Sequence, residues 1–171
     1  PAVIGFFSSF DTGSHLTIII FLLIGTIITC IVQSSAAVMA ITIMLCSSGV
    51  LPIYLGIALV MGENIGTTAT ANLAALGANS QARRAALAHL VFNVIGVVWV
   101  MCLFYPFVDL VCSLVGYDPK STSYTVQQLT VKLPVVLAAF HTCFNITNTG
   151  VLIWFIPQIE KLVCKLIKNK N

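Results

Sequence analysis

Apolar residues come in five blocks, Leu16 to Val32, Ala36 to Cys46, Leu51 to Met61, Ala85 to Val115 and Leu129 to Ile156. A bilayer core takes roughly 20 helical residues to cross, so the last two are comfortably long enough to span it. Leu51 to Met61 and Thr67 to Ala78 each supply about half a span, and Gly62-Glu63-Asn64-Ile65-Gly66 lies between them. Together they predict one helix over 51–78, broken at the membrane midplane. Upstream, two apolar limbs meet at Gln33-Ser34-Ser35, which predicts a re-entrant helical hairpin over 16–48 with its polar tip deep in the membrane. The first limb is long for such a hairpin and leaves a full span open. Ala85 to Val115 then runs outward, kinked or ended near Pro106; Gly116 to Gln128 forms an outer loop; a closing helix over 129–157 returns.

Composition places all of this in lipid. Hydrophobic residues make up 58% of the 171 and charged residues 8%, at a mean hydropathy of +1.03. A water-soluble surface needs far more charge. The net charge of +3 is small and its cations are grouped, with Arg83 and Arg84 in one loop and Lys161, Lys165, Lys168 and Lys170 in the tail over 158–171. Such clusters set topology and place both segments, and hence the C-terminus, in the cytoplasm of a multi-pass cell-membrane protein. They do not form a nucleic-acid surface. The chain opens on Pro1 without a cleavable leader, as expected of an excerpt from a longer protein. The six cysteines lack metal or disulfide spacing and read as small apolar fillers. No nucleophile–base pair, metal motif or phosphate loop is present, so an enzyme is not expected, nor any cofactor or metal beyond a transported ion.

The chemistry gathers at the two breaks. Irregular backbone survives at membrane depth only where protein or a watery cavity satisfies it. The first break, Thr29 to Ser35, brings a carboxamide and hydroxyls; the second, Glu63 to Thr68, brings Asn64, Thr67 and Thr68. Each precedes a predicted helix N-terminus, where unpaired N–H groups and the positive dipole end draw an anion. Ser34 and Ser35 open one helix, and Thr67 and Thr68 the other. Freed carbonyls and the side-chain oxygens of Gln33 and Asn64 suit a hard cation such as sodium. The bland alternative is that these hydroxyls and amides bond between helices, as they often do in membranes. Glu63 is the one carboxylate near the midplane, able to attract sodium, relay a proton or cap a helix. His89 and His141 read as hydrogen-bonded packing residues. They belong to an internal echo, His89-Leu90-Val91-Phe92-Asn93 and His141-Thr142-Cys143-Phe144-Asn145, that sets Asn93 and Asn145 inside apolar helices.

Three blocks in order, Thr29-Cys30-Ile31-Val32-Gln33-Ser34-Ser35, Gly62 through Thr70 and Arg83 through Asn93, resemble the type II sodium-dependent phosphate cotransporters, over about residues 13–157. The resemblance implies an all-α integral membrane protein forming one half of an inverted-repeat transporter, its second repeat over 13–115, which symports sodium and inorganic phosphate. It implies phosphate binding by Gln33, Ser34, Ser35, Asn64, Thr67 and Thr68. Sodium is expected at Gln33, Ser34, Glu63, Asn64, Thr67, Asn93 and Asn145. The expected partners are these ions, membrane lipid and an opposing repeat, supplied by the same protein or by a second subunit. Ala36 stands where the family motif carries a third serine, which removes one hydroxyl. Carriage of another anion, coupling to protons, and a non-transporting scaffold or phosphate sensor are the alternatives.

Overall fold

The computed structural model describes residues 2–168, and every regular element among them is helical. Eight α-helices follow in chain order: α1 (Ala2–Ser8), α2 (His15–Val32), α3 (Ser35–Ser47), α4 (Ile53–Ala74), α5 (Ser80–Cys102), α6 (Phe104–Leu114), α7 (Val126–Leu152) and α8 (Ile156–Leu166). By length and hydropathy, three stretches can cross a membrane: His15–Val32, Ser80–Cys102 and the run Val126–Leu166.

The two limbs expected over 16–48 are present as α2 and α3. Thr26 and Cys30 of α2 meet Gly62 and Gly66 of α4, so α2 and α4 run in the same direction. Thr42 meets Glu63 and Cys46 meets Gly56, so α3 returns antiparallel to both. At 1.5 Å per residue α3 is only about 20 Å long, too short to cross a bilayer core of about 30 Å.

The break expected within 51–78 does not occur. Helix α4 runs without interruption through Gly62, Glu63, Asn64 and Gly66, and a short 3₁₀ turn at Ala75–Gly77 follows its end. Its glycines are contact points. A Cβ on Gly62 would overlap the carbonyl oxygen of Leu22, and one on Gly66 would lie 2.7 Å from that of Thr26. On the facing helix, Gly25 is closed in the same way by Leu59. Missing side chains let the two backbones interlock, the small-residue packing by which helices associate in lipid. Thr26 reinforces it, its hydroxyl donating to its own helix at Leu22 (3.0 Å) and across to Gly62 (3.1 Å). With α3, α5 and α7 packed on its other sides, α4 is the buried axis, and Leu55, Ile57, Val60 and Met61 on successive faces are all fully buried. The outer side of α2 stays apolar, with Leu16, Leu23, Ile27 and Ile31 more than half exposed, as suits a helix facing lipid.

The outward helix over 85–115 is two helices. Helix α5 starts earlier, capped by the Asn79 side chain accepting from Ala82 N, and ends at Cys102. The chain bends at Leu103, three residues before Pro106, because Pro106 has no N–H to offer the Cys102 carbonyl. The closing helix over 129–157 likewise starts sooner, at the Thr125–Gln128 capping box, and gives way at Ile153–Phe155 to a 3₁₀ turn. Pro157 sits in the first turn of α8, where proline is well placed. Much of the expected tail is therefore amphipathic helix; Lys168 closes the described chain and Lys170 lies outside the described residues. Helices α5 and α7 are joined by Asn148, fully buried against Gly96, which donates to Phe92 O (3.1 Å) and accepts from Trp99 Nε1 (3.2 Å). At the opposite end Asp109 accepts from the Tyr54 hydroxyl (2.7 Å) and from Lys120 Nζ (2.8 Å). This hydrogen bond and the charge of Asp109 raise the Lys120 pKa above the ordinary lysine value.

Candidate functional site

The α2–α3 break is built on an unusual residue. Gln33 sits at φ 55°, ψ 25° and is the one non-glycine residue with positive φ among those described. A left-handed non-glycine residue costs roughly 1–2 kcal/mol, and such outliers concentrate at functional sites. Its N–H still bonds back to Thr29 O (2.8 Å), which ends α2 cleanly, while its side chain is exposed. Ser34 then adopts an extended backbone and caps α3, its Oγ accepting from Ala37 N (3.3 Å). The α3 N-terminus presents its first amide groups beside the Ser35 hydroxyl, an arrangement suited to an oxyanion.

Next to this N-terminus lies a cavity of about 260 Å³, lined by Ser35, Ala36 and Met39 of α3, Glu63 and Asn64 of α4, and His141 of α7. It has room for several waters at about 30 Å³ each. Glu63 is 2% exposed and its Oε1 accepts from the Thr42 hydroxyl (3.3 Å). His141 Nε2 donates to Asn64 Oδ1 (3.2 Å), while Asn64 Nδ2 is buried with no hydrogen-bond partner among the described residues. Thr29 Oγ1, at the Gly66 contact, is orphaned in the same sense. A buried donor without a partner is costly, so Asn64 is held ready for a bound acceptor or water. No cluster of three or more His, Cys, Asp or Glu able to hold a transition metal occurs among the described residues. Any cation here would be held by one carboxylate and neutral oxygens.

Of the expected site residues, Ser35, Glu63 and Asn64 thus meet at one cavity, with Gln33 and Ser34 at its edge in sequence. Thr67 and Thr68 do not open a helix, because α4 continues through them. Thr67 is exposed and its hydroxyl donates to Glu63 O (2.8 Å); Thr68 is buried and donates to Ile65 O (2.8 Å). Asn93 and Asn145 each donate to the histidine carbonyl four residues earlier, at 3.3 Å and 2.8 Å, and line no part of the cavity. The echo therefore has a common local geometry and unequal surroundings, since His89 is exposed whereas His141 reaches the cavity. The sequence reads His141 as a packing residue and does not single out Thr42. The echo was the available signal for His141, and nothing in the sequence marks Thr42.

A helical bundle with three stretches able to cross a membrane, and with a capped polar hairpin tip beside a buried carboxylate and amide, suits a membrane transport protein. Residues 13–116 match the family model described as Na+/Pi-cotransporter, and the chain belongs to that family. It is 30% identical over 149 residues to the "Uncharacterized protein YqeW" of Bacillus subtilis, covering 87% of this chain and 44% of that one. It is 28% identical over 148 residues to the "Putative inorganic phosphate export protein YjbB" of Escherichia coli K12, covering 86% and 24%. Over 89 residues it is 40% identical to the human "Sodium-dependent phosphate transport protein 2B", covering 50% and 12%. The chain thus spans less than half the length of each of these relatives. No solved structure matches it significantly.

Proposed function

We propose that the chain provides one repeat of a secondary transporter that couples inorganic phosphate to sodium across the cell membrane, the opposing repeat coming from the same protein or a second subunit. The observation that carries this is the strained Gln33 bend, which sets a capped α3 N-terminus against the Glu63–Asn64–His141 cavity. In this reading phosphate lies at the tip, on the α3 amide groups, the Ser34 and Ser35 hydroxyls and the Gln33 amide. Sodium takes the Glu63 carboxylate and nearby neutral oxygens. No lysine or arginine lines the cavity, so the cation supplies the balancing charge and phosphate binding depends on it. The short α3 dips from the outer face as a re-entrant limb, and the C-terminus lies in the cytoplasm. The names of the relatives support phosphate as cargo, one as a sodium-dependent carrier and one as an exporter.

The test is radiolabelled phosphate flux in proteoliposomes of the intact protein, with and without a sodium gradient. Gradient-driven movement that is lost when choline replaces sodium supports the reading; phosphate flux indifferent to sodium rejects the coupling. A second reading, coupling to protons, is favoured by Glu63, a buried carboxylate paired with the Thr42 hydroxyl and sharing its cavity with His141. Flux that persists in choline and follows a proton gradient would select it.

A further inference from the structure

At the end of the molecule where α4 stops and α5 starts, an apolar cleft of about 370 Å³ opens between Leu73 and Leu76 on one side and Leu87 and Leu90 on the other, with Arg83 and Ile167 on its rim. Leu73 and Leu76 are about two-thirds exposed. Its floor is braced by Asn72, whose Nδ2 donates to both Thr68 O and Ala86 O (2.8 Å each), so the cleft is part of the α4–α5 packing. Helix α8 runs back alongside α5 and is tied there by Arg84 Nε donating to Ile167 O (2.9 Å). That contact brings the end of α8, with Lys165 and Lys168, to the level of Arg83. It uses one of the five N–H groups of Arg84.

The charge at this rim is one-sided. From Asn64 to the C-terminus the acidic residues are Asp109, Asp118 and Glu160. The first two belong to the opposite end, where Asp109 is paired with Lys120. Only Glu160 shares the basic end with Arg83, Arg84, Lys161, Lys165 and Lys168, and no ion pair involves any of these among the described residues. Cations beside an apolar cleft, at the level where α5 enters the membrane, fit one kind of molecule, with an anionic head and a hydrocarbon body.

We propose that this cleft binds an anionic phospholipid of the adjoining leaflet, its phosphate on Arg83, Arg84 and Lys168 and its glycerol and upper acyl chain between Leu73, Leu76, Leu87 and Leu90. Free inorganic phosphate shares only the head chemistry and gains nothing from the leucines.

The experiment is native mass spectrometry of the intact protein from nanodiscs containing phosphatidylglycerol and phosphatidylcholine in equal amounts, alongside Arg83→Gln, Arg83→Lys, Lys168→Gln and Leu76→Trp. Wild type should retain phosphatidylglycerol in preference to phosphatidylcholine. Each lost charge should reduce that preference about fivefold, the equivalent of about 1 kcal/mol per basic residue near a lipid surface. Arg83→Lys should keep most of it. Leu76→Trp, which fills the cleft at unchanged charge, should lower total lipid retention. Equal retention of both lipids, or a preference unaffected by Arg83→Gln and Lys168→Gln, overturns the proposal. So does displacement of the lipid by millimolar inorganic phosphate, which would make the rim a phosphate site, or an acidic protein co-purifying on the rim in place of lipid.

Discussion

The two polar interruptions, Gln33-Ser34-Ser35 and Gly62-Glu63-Asn64-Ile65-Gly66, look alike as strings and fold in opposite ways. The first, which contains no glycine, breaks the helix by forcing Gln33 into the left-handed region. The second, which contains two, stays helical because both glycines are pressed against α2. Glycine marks flexibility when its surroundings are open. When another backbone lies where a Cβ would be, it marks close approach. The decisive information is the neighbour, which no window along the chain contains.

The sharpest way to break this comparison is Gly62→Val. With Leu22 O already inside the space of the first added carbon, α2 and α4 must separate, and the expected result is loss of folded, monodisperse protein in fluorescence-detected size exclusion. Recovery of normal protein would mean that Gly62 is a hinge after all. Gly66→Ala, with contacts of 2.7 Å to Thr26 O and Thr29 Cβ, should cost about 1–3 kcal/mol and lower the melting temperature without abolishing folding.

At the other interruption the fold should tolerate what the transport reading does not. Gln33→Gly keeps the left-handed bend at no steric cost, so the protein should melt at or slightly above the wild-type temperature while phosphate flux falls at least about tenfold. Retained flux would show that the bend, and not the carboxamide, matters. Ser34→Ala should lose about 1 kcal/mol of capping and show a comparable loss of flux. The smallest effect should come from Gly150→Ala. A Cβ added to this helical glycine would meet nothing within 4 Å, so alanine should stabilise by about 0.5–1 kcal/mol, read as a small rise in melting temperature.

Most of the architecture is legible in the sequence because hydrophobic block length reports directly on what a bilayer accepts. The limbs of the hairpin, its tip at Gln33–Ser34 and the two long spans can all be read this way. Boundaries are less legible where a backbone detail decides them: the Pro106 bend falls at Leu103, and α7 gains its first turn from the Thr125–Gln128 box. Within the candidate site, Ser35, Glu63 and Asn64 are recoverable from composition alone, being polar where polarity is expensive. His141 is not. Its relevance comes from α7 crossing α4 at Asn64, a contact 77 positions apart in the chain. Thr68 errs in the opposite direction, since a hydroxyl that looks free in the sequence is spent on its own helix.

The axial helix α4 has a consequence for how the protein is made. Although it is the most enclosed helix of the bundle, it is less apolar than the three stretches that can cross a membrane by length and hydropathy, because Glu63, Asn64 and four threonines and asparagines further along dilute its leucines and isoleucines. A segment emerging from the ribosome is sorted into lipid by its own transfer free energy, to which acidic residues near its centre contribute unfavourably. The neighbours of α4 supply what lipid cannot: Thr42 of α3 and His141 of α7 meet Glu63 and Asn64, while Gly25, Thr26 and Cys30 of α2 close on Leu59, Gly62 and Gly66. The integration of α4 is thus a cooperative step of biogenesis, in which neighbouring helices serve as its solvent.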